Sequence, residues 1–201
     1  MAPSNPLIYA IILAAGSSKR FPGTNKLLAP VHGVPIIQRV TTAICEANTK
    51  TTLVITGKDH ALTKPLLASQ NLQCIQNRDY SQGMGTSLTK GIDSIPEDNW
   101  DGILICLGDL PNLTTKLVNT LIQTFQAENA NSIIIPIHQG RRGHPIIFPY
   151  RYRNQLSQLT GDKGARDILK KERNAITELE VDTPAIFQDI DRPEDLSKLN
   201  A

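Results

Sequence analysis

Short, almost continuously apolar segments recur along the chain and alternate with amphipathic segments of helical length. Residues 8–14, 51–56, 102–108 and 132–137 are rich in β-branched side chains, and residues 72–77 form a weaker example. Strands that are apolar on both faces are typical of parallel sheets covered by helices on each side. The alternation therefore predicts an α/β fold with three layers and a parallel or mostly parallel sheet.

Three amphipathic helices are predicted between these strands. The first follows Pro35, which suits a first helical turn, the second follows Thr114 or Thr115 as N-cap, and the third follows Gly83. The apolar residues of the first two recur at helical spacing and are Ile36, Ile37, Val40, Ala43, Ile44 and Ala47, then Leu117, Val118, Leu121, Ile122 and Phe125. A chain of 201 residues suits a single domain over residues 1–201.

The composition of the chain limits the classes of binding partner that we expect and indicates a cellular compartment. The formal net charge of +2 gives no general case for binding nucleic acid or a membrane surface. Cys45, Cys74 and Cys106 are isolated among apolar residues, which favours reduced thiols and a cytoplasmic location. The apolar run at residues 7–15 has no basic segment before it and is shorter than the roughly 20 residues of a membrane span, so we interpret it as a strand.

The segment after the first predicted strand reads AAGSSKRFPGTNK. Ligands bind beyond the carboxyl ends of strands in open α/β sheets. Its glycines permit close approach of backbone N–H groups to a phosphate, and Arg20 and Lys26 can neutralise triphosphate oxygens. The segment matches neither the Walker A pattern nor GxGxxG. On composition alone, it is either a phosphate-binding loop or a polar surface turn.

Aspartates follow two further apolar runs. Asp109 comes directly after GILICLG and either ligates Mg²⁺ or caps a turn before Pro111. Asp189 lies within the strand-like run of residues 185–190 and Asp191 directly follows it, and alternation on a strand would place them on one face, toward the same metal as Asp109. Beyond them, Pro193 opens a final helix whose first-turn acids favour the helix dipole.

The segment QGRRGHPIIF lies between two strand-like runs. Its two arginines, Arg141 and Arg142, suit a small substrate that carries a phosphate, because guanidinium groups bind phosphate by paired hydrogen bonds. The alternative is an exposed basic hairpin. His138 and His144 are too few and too poorly spaced for a zinc site.

Six segments in order resemble the molybdenum cofactor cytidylyltransferases, which belong with the molybdopterin guanylyltransferases to a wider nucleotidyltransferase family. The segments are LAAGSSKRF…NKLL, NRDYSQGMGTSL, GDLP, GRRGHPIIF, TGDKGARDIL and DIDRPEDL, and the resemblance extends over about residues 8–199. The resemblance implies a Rossmann-like nucleotidyltransferase fold with a short antiparallel element. It also implies transfer of a nucleotidyl group from an NTP to a phosphate, with Mg²⁺ as cofactor and Mn²⁺ as the alternative, and release of pyrophosphate.

The same resemblance implies roles for individual residues. The backbones of Leu13, Ala14, Ala15 and Gly16 would lie along the nucleotide, and Gly83 and Ser87 would border its base and ribose. Catalysis would depend on Arg20 and Lys26, which hold the triphosphate, and on Asp109, which ligates the metal together with Asp191 or, less favoured, Asp189. The residues that face the pterin phosphate would be Arg141, Arg142 and His144.

The nucleobase is a finer expectation. Cytidylyl members tend to carry LAAG in the first loop and guanylyl members LAGG, so Ala15 indicates CTP. Leu110 departs from the Gln or Met found there in the two groups, and Arg78 replaces a frequent Pro. The alternatives are a guanylyltransferase that uses GTP, a related enzyme acting on another phosphorylated metabolite, and a nucleotide-binding chaperone without turnover. The expected partners are molybdopterin, the NTP and a molybdoenzyme client.

Overall fold

Strands and helices alternate along the chain, and the computed structural model describes them over residues 5–16, 21, 25–97, 100–162 and 164–200. The strands are β1 (Ile8–Ala14), β2 (Pro30–Val31), β3 (Val34–Pro35), β4 (Thr51–Thr56), β5 (Leu72–Gln76), β6 (Gly102–Leu107), β7 (Ile133–His138), β8 (Arg141–Arg142), β9 (Ile146–Pro149) and β10 (Ile176–Glu180). The helices are α1 (Ile36–Cys45), α2 (His60–Leu66), α3 (Met84–Asp93), α4 (Thr115–Ala127), α5 (Arg153–Ser157), α6 (Arg166–Lys171) and α7 (Pro193–Asn200). The five predicted strands are confirmed as β1, β4, β5, β6 and β7.

Within the described residues, eight strands form one sheet in the order β10-β7-β9-β6-β1-β4-β5, with β8 paired to β7. β1 is parallel to β4 and β6, β4 to β5, and β7 to β10. β9 runs antiparallel between β6 and β7, so these two strands point the same way. The sheet is therefore mostly parallel with a short antiparallel element, as expected, and the carboxyl ends of β1, β4, β6 and β7 share one edge.

The alternation of side chains along β1 separates two cores, one on each face of the sheet. Ile8, Ala10 and Ile12 join the cluster that contains the buried stripes of α1 and α4. Tyr9 and Ile11 join the cluster that contains residues of α3, α5 and α6. Helices thus cover both faces, which gives the predicted three layers.

The sequence signals for α4 and α7 correspond to observed helix ends. Thr114 is the N-cap of α4, and its hydroxyl oxygen accepts a hydrogen bond of 3.2 Å from the backbone N–H of Leu117. Pro193 begins α7, with acidic residues in the first turn. Of the two threonines proposed as caps, the first is the one used.

The strand expected at residues 185–190 is wrong. The chain forms a 3₁₀ turn at Pro184–Ile186 and continues without regular secondary structure to the start of α7. Thr183 starts the turn, because its side chain accepts from the N–H of Ala185 and a proline occupies the first position. Asp189 and Asp191 are therefore placed by an irregular segment and not by strand alternation.

The cysteines differ in exposure. Cys106 is fully buried, whereas Cys45 and Cys74 are partly exposed, and all three are free thiols. Burial raises the pKa of the Cys106 thiol, which therefore stays protonated and behaves as a small apolar side chain. Among the described residues, no helix combines the length and apolarity needed to cross a membrane.

Candidate active site at the carboxyl edge of the sheet

A lysine and two aspartates from distant parts of the chain meet at the carboxyl edge. The ammonium of Lys26 lies 2.6 Å from Asp109 Oδ2 and 3.0 Å from Asp191 Oδ1. The Lys26 side chain is 13% exposed and that of Asp109 is 17% exposed, so solvent screens their attraction only weakly. Two of the residues predicted for catalysis are thus in direct contact.

Local structure around Asn25 fixes the position of Lys26. Asn25 Oδ1 accepts a hydrogen bond of 3.0 Å from the N–H of Leu27 and so starts the 3₁₀ turn Lys26–Leu28. Its amide nitrogen donates to Asp59 Oδ2 at 2.9 Å. Because the asparagine side chain is buried and bonded at both ends, the backbone of Lys26 is held in place on the edge of the sheet.

Backbone hydrogen bonds hold Asp109 between two neighbouring segments. The N–H of Gly108 donates to Leu13 O at 3.0 Å, and Asp109 O accepts from the N–H of Ile190 at 3.2 Å. A side chain at position 108 would place its Cβ 3.0 Å from Leu13 O, so glycine permits this close approach. The segment that carries Asp189 and Asp191 is thereby tied to the aspartate at the end of β6.

Three carboxylates converge in a way that suits a hard divalent cation. One oxygen from each of Asp109, Asp189 and Asp191 lies within 4.8 Å of the others. Asp109 Oδ1 is buried and has no hydrogen-bond partner among the described residues, which is costly for a carboxylate oxygen unless a ligand contacts it. Oxygen ligands of this kind are those that Mg²⁺ and Mn²⁺ prefer, so the residues fit the expected metal.

Charge interactions in this cluster shift two pKa values. Burial lowers the pKa of Lys26, but the charge and hydrogen bond of Asp109, reinforced by Asp191, outweigh this effect and raise the pKa above its ordinary value. Burial and the charge of Asp109 raise the pKa of Asp189. The ammonium therefore stays protonated at neutral pH and acts as the local positive charge.

The expected nucleotide-binding residues at the end of β1 differ in exposure. Ala14 is buried, Leu13 and Ala15 are partly buried, and Gly16 is exposed. Within the described residues, no atom would lie within 4 Å of a Cβ built on Gly16. Residues 17–20 and 22–24 follow, so the predicted role of Arg20 lies outside the described residues and stays a prediction.

Gly83 and Ser87 lie at the start of α3 and pack inward. Ser87 is 3% exposed, and its hydroxyl accepts a hydrogen bond of 3.0 Å from Asn77 Nδ2. Gly83 has a φ of +113°, and the N–H of Gly85 donates to Gly161 O at 2.7 Å. The segments GMGTSL and TGDKGAR are therefore packed on each other, a contact that sequence reasoning did not predict.

Substitution of Gly83 by alanine should lower the free energy of unfolding by about 3 kcal/mol, because positive φ and steric overlap add. The added Cβ would lie 2.4 Å from the carbonyl carbon of Gly161. Gly140→Ala is the matched control, since Gly140 has a φ of +73° but nothing within 4 Å, and it should cost only about 1 kcal/mol. Urea unfolding of both variants measures the difference, and equal losses would contradict the close packing.

The two arginines of GRRGHP form an exposed hairpin, which is the alternative that the sequence left open. β8 pairs antiparallel with the end of β7. Arg142 is bonded to Glu178 Oε1 at 2.6 Å, and the Arg141 guanidinium lies 4.1 Å from the centre of the Phe187 ring. Both arginines thus have partners within the protein, and their contact with an acceptor phosphate stays a prediction.

His144 lies deeper than the arginines. Its backbone N–H donates to Ile186 O at 2.7 Å, and its Nδ1 is 3.5 Å from Ile105 O. Burial lowers the pKa of the imidazole, with a smaller opposing effect from Asp109 and a further lowering by Arg166. The ring is therefore neutral at pH 7.

Residues 10–176 match the family of MobA-like NTP transferase domains. The chain belongs to this family. The match includes Lys26, Asp109 and His144 and ends before Asp189 and Asp191. As a MobA-like protein, the chain is a nucleotidyltransferase, which agrees with the resemblance inferred from its motifs.

Relatives of this MobA-like protein are similar over nearly their whole length. The purine catabolism protein PucB of Bacillus subtilis (strain 168) is 29% identical over 199 residues, 95% of each chain. The nicotine blue oxidoreductase of Paenarthrobacter nicotinovorans is 25% identical over 202 residues, 96% of this chain and 97% of that protein. The molybdenum cofactor cytidylyltransferase of Escherichia coli (strain K12) is 27% identical over 188 residues, 94% of this chain and 93% of that protein. These names describe different roles, so the acceptor substrate of this protein has to be inferred from the residues of its own site.

Solved structures confirm the Rossmann-like fold. Rv0371c from Mycobacterium tuberculosis H37Rv superposes with a TM-score of 0.84 at 24% identity, over 96% of this chain and 98% of that one. Its complex with manganese gives a TM-score of 0.80 at 22% identity, over 96% and 97% of the two chains. At these identities the likeness establishes the fold alone.

Two polar residues near the site were missed by sequence reasoning. Asp162 and Arg166 line a cavity together with His144 and Leu13. Both belong to TGDKGARDIL, one of the six segments that carry the family resemblance. Only the fold of this segment against α3 brings them to the carboxyl edge.

The lowered pKa of His144 predicts how stability depends on pH. A histidine that binds its proton less readily in the native state makes the fold less stable as the pH falls below about 6.5. We expect the free energy of unfolding to fall more steeply between about pH 7.5 and about pH 5.5 in the wild type than in His144→Asn. Identical slopes for the wild type and His144→Asn would refute the buried, neutral state of His144.

Proposed function

We propose that this protein transfers CMP from CTP to the terminal phosphate of molybdopterin, with release of pyrophosphate. The observation that carries the proposal is the cluster of Lys26, Asp109 and Asp191 at an open strand edge. Family membership supports nucleotidyl transfer, and similarity to a molybdenum cofactor cytidylyltransferase supports the acceptor and the base.

The reaction needs alignment and charge neutralisation more than proton transfer. An oxygen of the acceptor phosphate attacks the α-phosphorus of CTP, and the bond from that phosphorus to the oxygen bridging to the β-phosphate breaks. The acceptor phosphate is already ionised at pH 7, so no side chain has to remove a proton. This agrees with a site whose described residues are a lysine, three carboxylates and close-packed glycines.

The protein's own residues meet two requirements of this reaction, which are a binding site for the metal and a positive charge at the triphosphate. Asp109, with Asp191 or Asp189, would hold Mg²⁺ or Mn²⁺, which neutralises charge on the phosphate oxygens when bound. Lys26 is a protonated donor on a fixed turn, so it can exchange its carboxylate partners for oxygens of the triphosphate. Leu13 to Gly16 would place backbone groups along the nucleotide, and Gly83 and Ser87 would border its base and ribose, while Arg20 would assist at the triphosphate.

The choice of CTP rests on Ala15. Residue 110, the second position that distinguishes cytidylyl from guanylyl members, is a leucine that is fully buried here and packs in the core. It therefore supports neither base. GTP is the runner-up, and a related phosphorylated metabolite is the runner-up acceptor.

Turnover tests the proposal directly. The protein is incubated with molybdopterin, Mg²⁺ and each NTP in turn, and released pyrophosphate and the pterin dinucleotide are measured. We expect product with CTP and far less with GTP, and a rate with CTP about 10³-fold lower for Asp109→Asn. Binding of CTP and molybdopterin without pyrophosphate would favour the nucleotide-binding chaperone, and the use of Mn²⁺ in a parallel reaction distinguishes the two metals.

A thermal-shift series compares the bases without the acceptor. A ligand that binds only the native state stabilises it by about 2.7 kcal/mol at a concentration of 100 times Kd. We expect the larger rise in melting temperature with CTP plus Mg²⁺. A larger rise with GTP would overturn the base assignment and leave the transferase assignment standing.

A further inference from the structure

An apolar cavity of about 140 Å³ lies beside the strand ends that carry the candidate active site. Its walls include Leu13 of β1, Leu107 of β6, and Ile146 and Phe148 of β9. Leu13 immediately precedes Ala14, and Leu107 lies two residues before Asp109. The cavity therefore opens close to both the nucleotide segment and the metal-binding aspartate.

The size and lining of the cavity suit a flat ring. An apolar cavity of about 150 Å³ binds benzene, so a space of this size accepts one six-membered ring of a fused heterocycle. Met84 also lines it, and this side chain is 43% exposed although it is large and apolar. Methionine is flexible and polarizable, so this side chain can adapt its shape to a planar ring in the cavity.

Polar groups lie where the substituents of such a ring would need them. His144 is neutral and lines the cavity, and its Nδ1 lies 3.5 Å from the carbonyl oxygen of Ile105. Arg166, the first residue of α6, lines the cavity and is exposed. Within the described part of the chain, no carboxylate is paired with Arg166, in contrast to Arg142 with Glu178 and Arg153 with Glu97. A guanidinium in this state binds a phosphate by two parallel hydrogen bonds.

The cavity adjoins the nucleotide segment at Leu13 and extends from there toward β6 and β9. The carbonyl of Ala15 approaches Gly57, which follows β4, so closely that a Cβ at Gly57 would lie 2.8 Å from that oxygen and 2.9 Å from the ring of Tyr80. The segment after β1 thus leans toward β4 and β5. The cavity instead lies along β6 and β9. A ligand that fills it lies beside Leu107 of β6, two residues before Asp109.

We propose that this cavity binds the heteroaromatic ring of the phosphorylated acceptor, and that Arg166 at its mouth binds the acceptor phosphate. The inference rests on the proposed function only in assigning the ring to the acceptor. It moves the expected phosphate contact from Arg141 and Arg142, which have Phe187 and Glu178 as partners, to Arg166. His144 keeps its expected role as an acceptor-binding residue, at the ring.

Two variants separate the phosphate contact from the ring contact. Arg166→Ala should raise the KM for molybdopterin about tenfold or more, with little change in the KM for CTP, because a charged hydrogen bond to one substrate is lost. Arg166→Lys should recover part of the loss. Arg173→Ala is the matched control, since Arg173 is an exposed arginine in a separate 3₁₀ turn, and its kinetic constants should be those of the wild type.

Ala165→Leu adds three carbons at the cavity wall and tests the ring contact. The probe is an unphosphorylated pterin, whose intrinsic fluorescence is titrated with protein in the absence of any nucleotide. We expect Ala165→Leu to weaken pterin binding about tenfold and Arg166→Ala to leave it unchanged. Far-ultraviolet circular dichroism verifies that both variants are folded.

The outcomes distinguish this inference from the proposed function. Pterin binding that depends on Ala165, without transfer of CMP to molybdopterin, supports the cavity and overturns the function. Transfer with an unchanged acceptor KM in Arg166→Ala and Ala165→Leu overturns the cavity alone. A raised KM for CTP with an unchanged KM for molybdopterin in Arg166→Ala also overturns it, because the nucleotide would then occupy this site.

Discussion

Asp109→Asn should lower the rate of nucleotidyl transfer by about 10³-fold, with a much smaller effect on the affinity for CTP. The asparagine keeps the shape of the side chain and removes its charge. The side chain then no longer carries the negative charge that binds Lys26 through Oδ2. The same carboxylate includes the buried Oδ1, which has no partner among the described residues. A metal ligand at a phosphoryl centre contributes several kcal/mol to the transition state, and about 1.4 kcal/mol is tenfold in rate.

Single-turnover measurements of pyrophosphate release, together with calorimetric titration of CTP, test this expectation. Asp182→Asn is the matched control, because Asp182 is exposed and lies away from the three clustered carboxylates. It should behave as the wild type. A rate for Asp109→Asn within a few-fold of that of Asp182→Asn would remove Asp109 from the site.

Lys26→Ala should lower the free energy of unfolding by about 2–3 kcal/mol and weaken binding of the triphosphate. Removal of one member of a largely buried ion pair leaves the remaining charges uncompensated, and here Asp109, Asp189 and Asp191 would repel one another. Because the pKa of Lys26 is raised in the folded state, its contribution is complete below the ordinary lysine pKa of about 10.4 and is lost only as the pH rises through the raised value. The effect is therefore full at neutral pH.

Mn²⁺ should restore the stability of Lys26→Ala, since a cation that binds only the native state replaces the missing charge. Urea unfolding with and without Mn²⁺ measures the recovery. Lys170→Ala removes an exposed ammonium 4.0 Å from Asp167 and should cost less than about 0.5 kcal/mol, with the same response to Mn²⁺ as the wild type. An equal response of the wild type, Lys26→Ala and Lys170→Ala would argue against three converging carboxylates.

The sheet and its helices were predictable because burial imposes a period on the sequence. The apolar runs of β1, β4 and β6 and the stripe of α4 have the spacing that two-sided or one-sided burial requires. The same pattern predicted which edge of the sheet carries the site, because the carboxyl ends of parallel strands lie at one edge. The position of Asp109 at this edge therefore follows from its place after β6, and its role there stays a prediction.

The partners of these residues could not be derived from local patterns. Lys26 contacts carboxylates that are 83 and 165 residues away in the sequence. Asp189 and Asp191 approach Asp109 through an irregular segment fixed by the N–H of Ile190, and no periodicity encodes such a segment. Likewise, the local sequence around Arg142 does not indicate its ion pair with Glu178, which lies on a different strand.

The ammonium of Lys26 occupies the space between two carboxylates that would also hold a divalent ion. The protein thus carries its own counterion, and the carboxylates are oriented before any substrate arrives. A free metal ion has to displace this counterion, whereas a metal that arrives with a triphosphate brings new anionic partners for the displaced lysine. We therefore expect metal and nucleotide to bind cooperatively, each increasing the affinity for the other by the same factor. Lys26 would then couple the binding of the two ligands, so metal and nucleotide would enter the active site together.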